Sequence, residues 1–182
     1  FPNGYVIAVG QLLPHKRIEQ VLETMHIMNS TYWGNIGLVL CGVARQAHYR
    51  EAINKFQNRC AMVDVQFTDA VSNRQLATLL RGARAYLGMS DHEGLCIPPV
   101  EAMSLGVPVI IKGAGAVPET MGEGALVLPQ DCGPILAGEA INEVLTNETT
   151  RWNLINAGYE RVDILESRTS SFRMAQLLRE AA

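Results

Sequence analysis

Five short, continuously apolar runs mark out this chain: Tyr5–Val9, Ile36–Cys41, Ala85–Gly88, Val107–Ile111 and Ala125–Leu128; Val63–Phe67 reads as a further strand. None of the five alternates apolar with polar residues, so each is expected to be buried on both faces, as in a parallel sheet. Between the runs lie helical patterns. Ile18–Met28 carries Ile18, Val21, Leu22, Met25 and Met28 at helical spacing. Ala44–Phe56 also reads as a helix. Ser72, with Gln75 three residues on, is the signature of a capped helix start, and that helix runs to about Arg81. A further helix follows Pro98 and stops at Gly106, and Ile135–Leu145, Glu148–Leu165 and Thr169–Ala181 complete the set. Pro108 falls near the start of its strand, where a missing N–H is tolerated. Strands and helices in this order predict an α/β fold, a parallel sheet covered by helices on both faces. Ligands of such sheets bind beyond the carboxyl ends of the strands. The loops after Val9, Cys41, Phe67, Gly88 and Ile111 are therefore the candidate site.

No linker or internal repeat divides the 182 residues, so residues 1–182 are expected to form one domain, with the last two helices free to pack elsewhere as a tail. Phe1-Pro2-Asn3-Gly4 leads straight into a buried strand without an initiator Met or signal, which suggests the C-terminal half of a longer protein. Hydrophobic residues make up 48% and charged residues 18%, an ordinary globular balance. The net charge is -3 and no run of Lys and Arg occurs, so nucleic acid is not an expected partner. No apolar stretch approaches the roughly 20 residues that span a bilayer. Cys41, Cys60, Cys96 and Cys132 form no C-x-x-C pair and fit no zinc pattern; free thiols in a reducing, cytoplasmic setting are the expectation.

The most informative segment is Ser90-Asp91-His92-Glu93-Gly94-Leu95-Cys96-Ile97-Pro98-Pro99-Val100-Glu101. Glu93 reads as the end of a loop and Glu101 as the first turn of a helix, which puts an acid on each side of a helix N-terminus. Such an end offers free N–H groups and a positive dipole to an anion. A phosphate on those groups, with carboxylates holding nearby hydroxyls, is the chemistry of gripping a nucleotide-sugar. Glu101 alone reads equally as a residue favoured by the helix dipole, and His92 reads as a proton carrier or as a polar loop residue.

Gly10-Gln11-Leu12-Leu13-Pro14-His15-Lys16-Arg17 links the first strand to the first helix. Gly10 permits a tight turn, Lys16 reaches a phosphate as a point charge, and Arg17 adds a forked contact. The same residues read as a solvated basic loop. Gly113-Ala114-Gly115-Ala116-Val117-Pro118-Glu119 is either a second loop of ligand-facing amides or a plain strand-to-helix connection. Asp69-Ala70-Val71-Ser72 lies at the edge where backbone groups can meet a base.

These pieces together resemble the C-terminal domain of a GT-B fold glycosyltransferase of the retaining family 4, the group 1 glycosyltransferases. The landmarks are Val9-Gly10 with Lys16, Leu40-Cys41-Gly42, Val65–Asp69, Ser90–Met103 with its E-x7-E spacing, Gly106–Ile110 and Pro118-Glu119. The resemblance covers nearly the whole chain and implies a Rossmann-like sheet that binds a nucleotide-diphosphate sugar. It implies catalytic roles for Lys16, which would neutralise the leaving diphosphate, and Glu93, which would contact donor-sugar hydroxyls. Glu101 would hold the ribose. Gly94, Leu95 and Cys96 would offer N–H groups to the distal phosphate or sugar, backbone near Val71 would hold the base, and Gly10, Gln11, Arg17, Gly42 and His92 would complete the donor site.

The sequence departs from the family at Gln11, where Arg is usual, and at Cys96, where a third glycine is common. The resemblance implies retaining transfer of a hexose without a metal or other cofactor, with a weak lean to mannose from GDP-mannose. The acceptor, saccharide or lipid-linked, would be held by an N-terminal domain absent from this chain. Polysaccharide biosynthesis at the inner face of a membrane is the setting implied. A degenerate nucleotide-binding module, favoured by Gln11, and one half of a sugar-nucleotide epimerase are the alternatives. No G-x-G-x-x-G follows the first strand, which disfavours a plain NAD-binding fold.

Overall fold

A computed structural model of the chain describes residues 1–33, 35–59 and 64–167. Its six strands are β1 (Tyr5–Val9), β2 (Gly37–Cys41), β3 (Val65–Phe67), β4 (Ala85–Gly88), β5 (Val109–Lys112) and β6 (Leu126–Leu128). All pair in parallel, in the order β3-β2-β1-β4-β5-β6. β1 is central to the pairing: Val6 lies opposite Leu38 on one side and Ala85 on the other.

Successive strand residues point to opposite faces of a sheet, and here both faces are apolar. Val6, Ala8, Leu38, Leu40, Leu87 and Ile110 enter one core. It is completed by α1 (Ile18–Met28), α2 (Ala47–Arg59) and α6 (Pro134–Thr146). Ile7, Val39, Cys41, Tyr86, Val109 and Ile111 enter the other. There α3 (Asn73–Gly82), α4 (Ile97–Ser104), α5 (Val117–Met121) and α7 (Glu148–Ser167) supply Leu80, Ala102, Met103, Val117, Met121 and Val162. Burying each such Leu, Ile or Met is worth about 1.5–3 kcal/mol against the exposed chain. The double-sided core is thus what holds the strands in parallel.

The doubly covered, Rossmann-like sheet agrees with the sequence expectation, and several edges move. α2 begins at Ala47, not Ala44, and continues to Arg59. β5 starts at Val109, after Pro108, and extends to Lys112. α4 begins at Ile97 and ends at Ser104, so Glu101 is its fifth residue and sits in the second turn. The dipole interaction expected of an acid in the first turn is therefore weaker for Glu101. α7 is no detached tail: Ile155, Gly158 and Val162 are buried, and Arg151 donates to the carbonyl of Arg84. Val63, Cys60 and the helix expected over Thr169–Ala181 lie outside the described residues. Cys41, Cys96 and Cys132 are buried free thiols.

Candidate functional site

The strand order reverses between β1 and β4, because β1 is followed across the sheet by β2 and β4 by β5. At such a switch the loops leaving the two strands diverge to opposite faces and open a crevice at the carboxyl edge. The loop after β1 is residues 10–17, and the loop after β4 is residues 89–96. The two best sequence candidates are thus brought face to face.

Lys16 ends a short 3-10 turn, Pro14–Lys16. Its Nζ donates to Glu93 Oε1 at 2.5 Å across the crevice. Gly10, Gln11, Lys16, Ser90 and Glu93 line the cleft over a floor of Val9, Tyr86 and Gly88. Tyr86 is buried there, with its hydroxyl donating to the Val9 carbonyl. Burial, reinforced by the nearby Glu93 carboxylate, pushes that phenol well above its ordinary range. The enclosed space is only about 20 Å³. The rest of the cleft is open to solvent at the sheet edge.

Arg17 occupies a left-handed conformation (φ 50°) as the N-cap of α1. Its guanidinium is engaged: Nε donates to Asp91 Oδ2, and Nη1 lies 3.5 Å from Glu19 Oε1. Asp91 also accepts from Lys112 Nζ at 2.6 Å. The hydrogen bond from Lys112, and then that from Arg17, holds the Asp91 carboxyl below the usual carboxylate range. The structure thus places Arg17 in an ion-pair chain beside the cleft, while Gln11 lines the cleft itself.

Backbone contacts tie the loops together. Asp91 N–H donates to the His15 carbonyl, and Ala116 N–H donates to the Glu93 carbonyl. Gly115 permits the second contact. Its φ is +62°, and a Cβ there would stand 2.4 Å from the Glu93 carbonyl oxygen. Gly42 plays the same part between the loops after β1 and β2: at φ +147°, its Cβ would meet the Gly10 carbonyl oxygen at 1.9 Å. Gly10 N–H donates to Cys41 and Leu12 N–H to Val43.

Beyond Glu93 the loop opens. A Cβ on Gly94 would meet nothing within 4 Å, and Leu95 and Ile97 are exposed apolar side chains. Cys96 is the N-cap of α4 in the left-handed region (φ 55°), which explains why glycine suits this position. Its buried thiol is pushed up to about 12 by desolvation and by Glu93. His92, two residues before Gly94, lies on the same loop.

Of the predicted residues, Gly10, Gln11, Lys16 and Glu93 line the Lys16 cleft, while Arg17, Gly42, His92, Gly94, Leu95 and Cys96 do not line it and Glu101 and Val71 line other grooves. Glu101 lines a separate groove of about 120 Å³ between α3 and α4, with Asn73, Leu76 and Ser104. Val71 lines a third, with Gln66, Thr68, Arg74 and Gln75. The loop that carries Val71 is anchored by a bridge between Gly42 and Asp69. Lys112 was missed at the sequence level. The signal was available in a lysine closing a wholly apolar strand, since an interior lysine is rare without a partner.

The chain matches the model of the family "Glycosyl transferases group 1" over residues 2–161. It belongs to that family. Among relatives, the O-antigen chain mannosyltransferase RfbU of Salmonella typhimurium is 30% identical over 71% of this chain and 35% of its own length. An O-antigen chain mannosyltransferase B of Escherichia coli is 27% identical over 74% and 35%. The present chain therefore spans about a third of the length of these curated relatives. In fold it is similar to the C-terminal domain of the glycosyl transferase group 1 protein LpcC from Francisella tularensis. The TM-score is 0.76 at 18% identity, covering 88% of this chain and 85% of that one. The sheet is accordingly that of a GT-B C-terminal domain. Among the described residues no helix is long and apolar enough to cross a membrane.

Proposed function

We propose that this chain is the donor-binding domain of a retaining hexosyltransferase that uses a nucleotide-diphosphate sugar. The observation that carries the reading is the Lys16–Glu93 pair, set across the β1/β4 switch of a group 1 glycosyltransferase sheet. A diphosphate would compete with Glu93 for the Lys16 ammonium, which frees the carboxylate to accept from sugar hydroxyls. Lys16 and the N–H groups of Gly94, Leu95 and Cys96 would then stabilise the charge developing on the departing diphosphate. As the bond between the anomeric carbon and the diphosphate oxygen breaks, a leaving diphosphate oxygen takes the acceptor hydroxyl's proton and the acceptor's oxygen bonds to that carbon on the same face. Glu101 would hold the ribose and backbone near Val71 the base. Gly10, Gln11, Arg17, Gly42 and His92 shape the remainder of the donor site.

Mannose from GDP-mannose is the donor this reading favours, because mannosyltransferases recur among the relatives, one of them named as GDP-mannose-dependent. The acceptor, saccharide or lipid-linked, would be held by an N-terminal domain beyond this chain. The shallow cleft and the partial coverage of the relatives both support that division. No resident metal or cofactor is proposed, and chelation with EDTA should leave transfer unchanged. The full-length enzyme would work in the cytoplasm, peripherally at the inner face of the membrane.

In the full-length protein, Lys16→Ala should lower the rate of transfer by about 10²- to 10³-fold, in line with loss of one preorganised charge-stabilising donor. Full activity in that variant would sink the catalytic assignment. The second reading, a non-catalytic nucleotide-binding module to which Gln11 in place of the usual Arg points, predicts instead that the wild-type full-length protein binds nucleotide without transferring sugar. The 182-residue chain alone should bind nucleotide without transferring sugar.

A further inference from the structure

We infer that Lys112 and Asp91 are positioning residues for the donor site, and that they act through the Lys16–Glu93 pair. The inference rests on the donor-site reading and extends it to two residues that carry no assigned role. Lys112 closes β5 with its side chain 5% exposed. A buried ammonium is costly to keep, and a well-packed apolar residue of similar size is often as stable or more so. What the charge adds here is placement. Lys112 Nζ holds Asp91 Oδ1 at 2.6 Å, and Asp91 Oδ2 takes the Nε–H of Arg17. Asp91 also donates its N–H to His15, the residue before Lys16.

One carboxylate therefore knots together the end of β5, the loop after β4 and the loop after β1. Two residues further on, Glu93 meets Lys16, and its carbonyl accepts from Ala116 in the loop that follows Lys112. The spacing of Lys16 against Glu93 is thus set from outside the cleft. The arrangement also accounts for Arg17. With Asp91 and Glu19 on its guanidinium, it serves as a strut between loops rather than as a second phosphate cation. Among the described residues lining the cleft, Lys16 carries the positive charge.

The test is a double-mutant cycle on binding by the 182-residue chain, measured by calorimetry with whichever of GDP, UDP, ADP and dTDP the wild type binds. Lys112→Met leaves Asp91 paired with Arg17 and should fold with a melting point near that of the wild type. Its dissociation constant for the nucleoside diphosphate should rise about tenfold, within the range of coupling between residues of one ion-pair network. In the Lys16→Ala background the same change should have no further effect, because the group it positions is gone. A merely structural Lys112 would give additive losses, and additivity overturns the inference. So does wild-type affinity in Lys112→Met. Should Lys112→Met fail to fold, Lys112→Met combined with Asp91→Asn, which strands no buried charge, takes its place with the same expected result. Absence of binding by the wild type to all four nucleotides would overturn the donor-site reading itself, and the inference with it.

Discussion

Three residues of the β4 loop and its neighbour separate structural from chemical need. Gly115 cannot carry a side chain without displacing the Glu93 backbone, so Gly115→Ala should cost stability by about 1–3 kcal/mol, the scale of forced backbone strain. Gly94 faces open space. Gly94→Ala should therefore unfold within about 0.5 kcal/mol of the wild type, as unstrained surface changes do. Chemical denaturation of the two variants checks both statements, and equal destabilisation would contradict the loop geometry. Cys96 gives a pH signature. Its thiol titrates near 9 when unfolded and about 12 when folded. The proton is bound more tightly in the folded state, so its contribution to stability is complete below pH 9 and is lost as pH rises towards 12. Cys96→Ser should flatten that part of the stability curve. At pH 8 the native thiol should resist alkylation until the chain unfolds.

The same residues show what sequence reading reaches and where it stops. Lys16 and Glu93 were legible because glycine, charge and loop position coincided in a short window. Their pairing was not, since they lie 77 positions apart and meet only through the strand order. Arg17 read as a phosphate ligand by type and place; its partner Asp91 comes from a distant loop, which no local pattern reveals.

At the scale of elements, local chemistry decides the boundaries. The Ser72–Gln75 capping box is formed in both directions, as its spacing predicts. Ser72→Ala should cost about 1 kcal/mol, measured by thermal or urea unfolding, and should shift the loop that bears Val71. Asn29 is buried where α1 gives way to the approach to β2. It donates to the Ile36 carbonyl at 2.9 Å and accepts from the Ile36 N–H at 3.0 Å. Asn29→Leu would strand both backbone groups, each worth about 1–3 kcal/mol when left unpaired in the interior. A variant as stable as the wild type would show that the crossover does not depend on this clamp. Most strand positions were readable because a doubly buried strand leaves an unbroken apolar run; β3 at the sheet edge is the exception, with Gln66 exposed between Val65 and Phe67. The start of α4 carries no side-chain signal, because Cys96 caps it by backbone conformation alone.

At the scale of the whole molecule, the six described strands form one parallel sheet and the cleft lies open at its carboxyl edge. Both faces are sealed by helices, whereas the carboxyl edge presents Lys16, Glu93, Gly94 and the exposed Leu95 and Ile97 on an open surface. The parallel architecture followed from the apolar runs, and the family from motifs in order along it. The depth of the cleft did not follow, because it depends on which loops lean together. The central claim, that this edge binds a nucleoside diphosphate through Lys16, is tested most directly by calorimetric titration of the chain with GDP, UDP, ADP and dTDP. The account predicts saturable binding of at least one of the four, weakened at least tenfold by Lys16→Ala, about the loss of one charge-assisted contact. Binding of none, or binding that Lys16→Ala leaves intact, would contradict it.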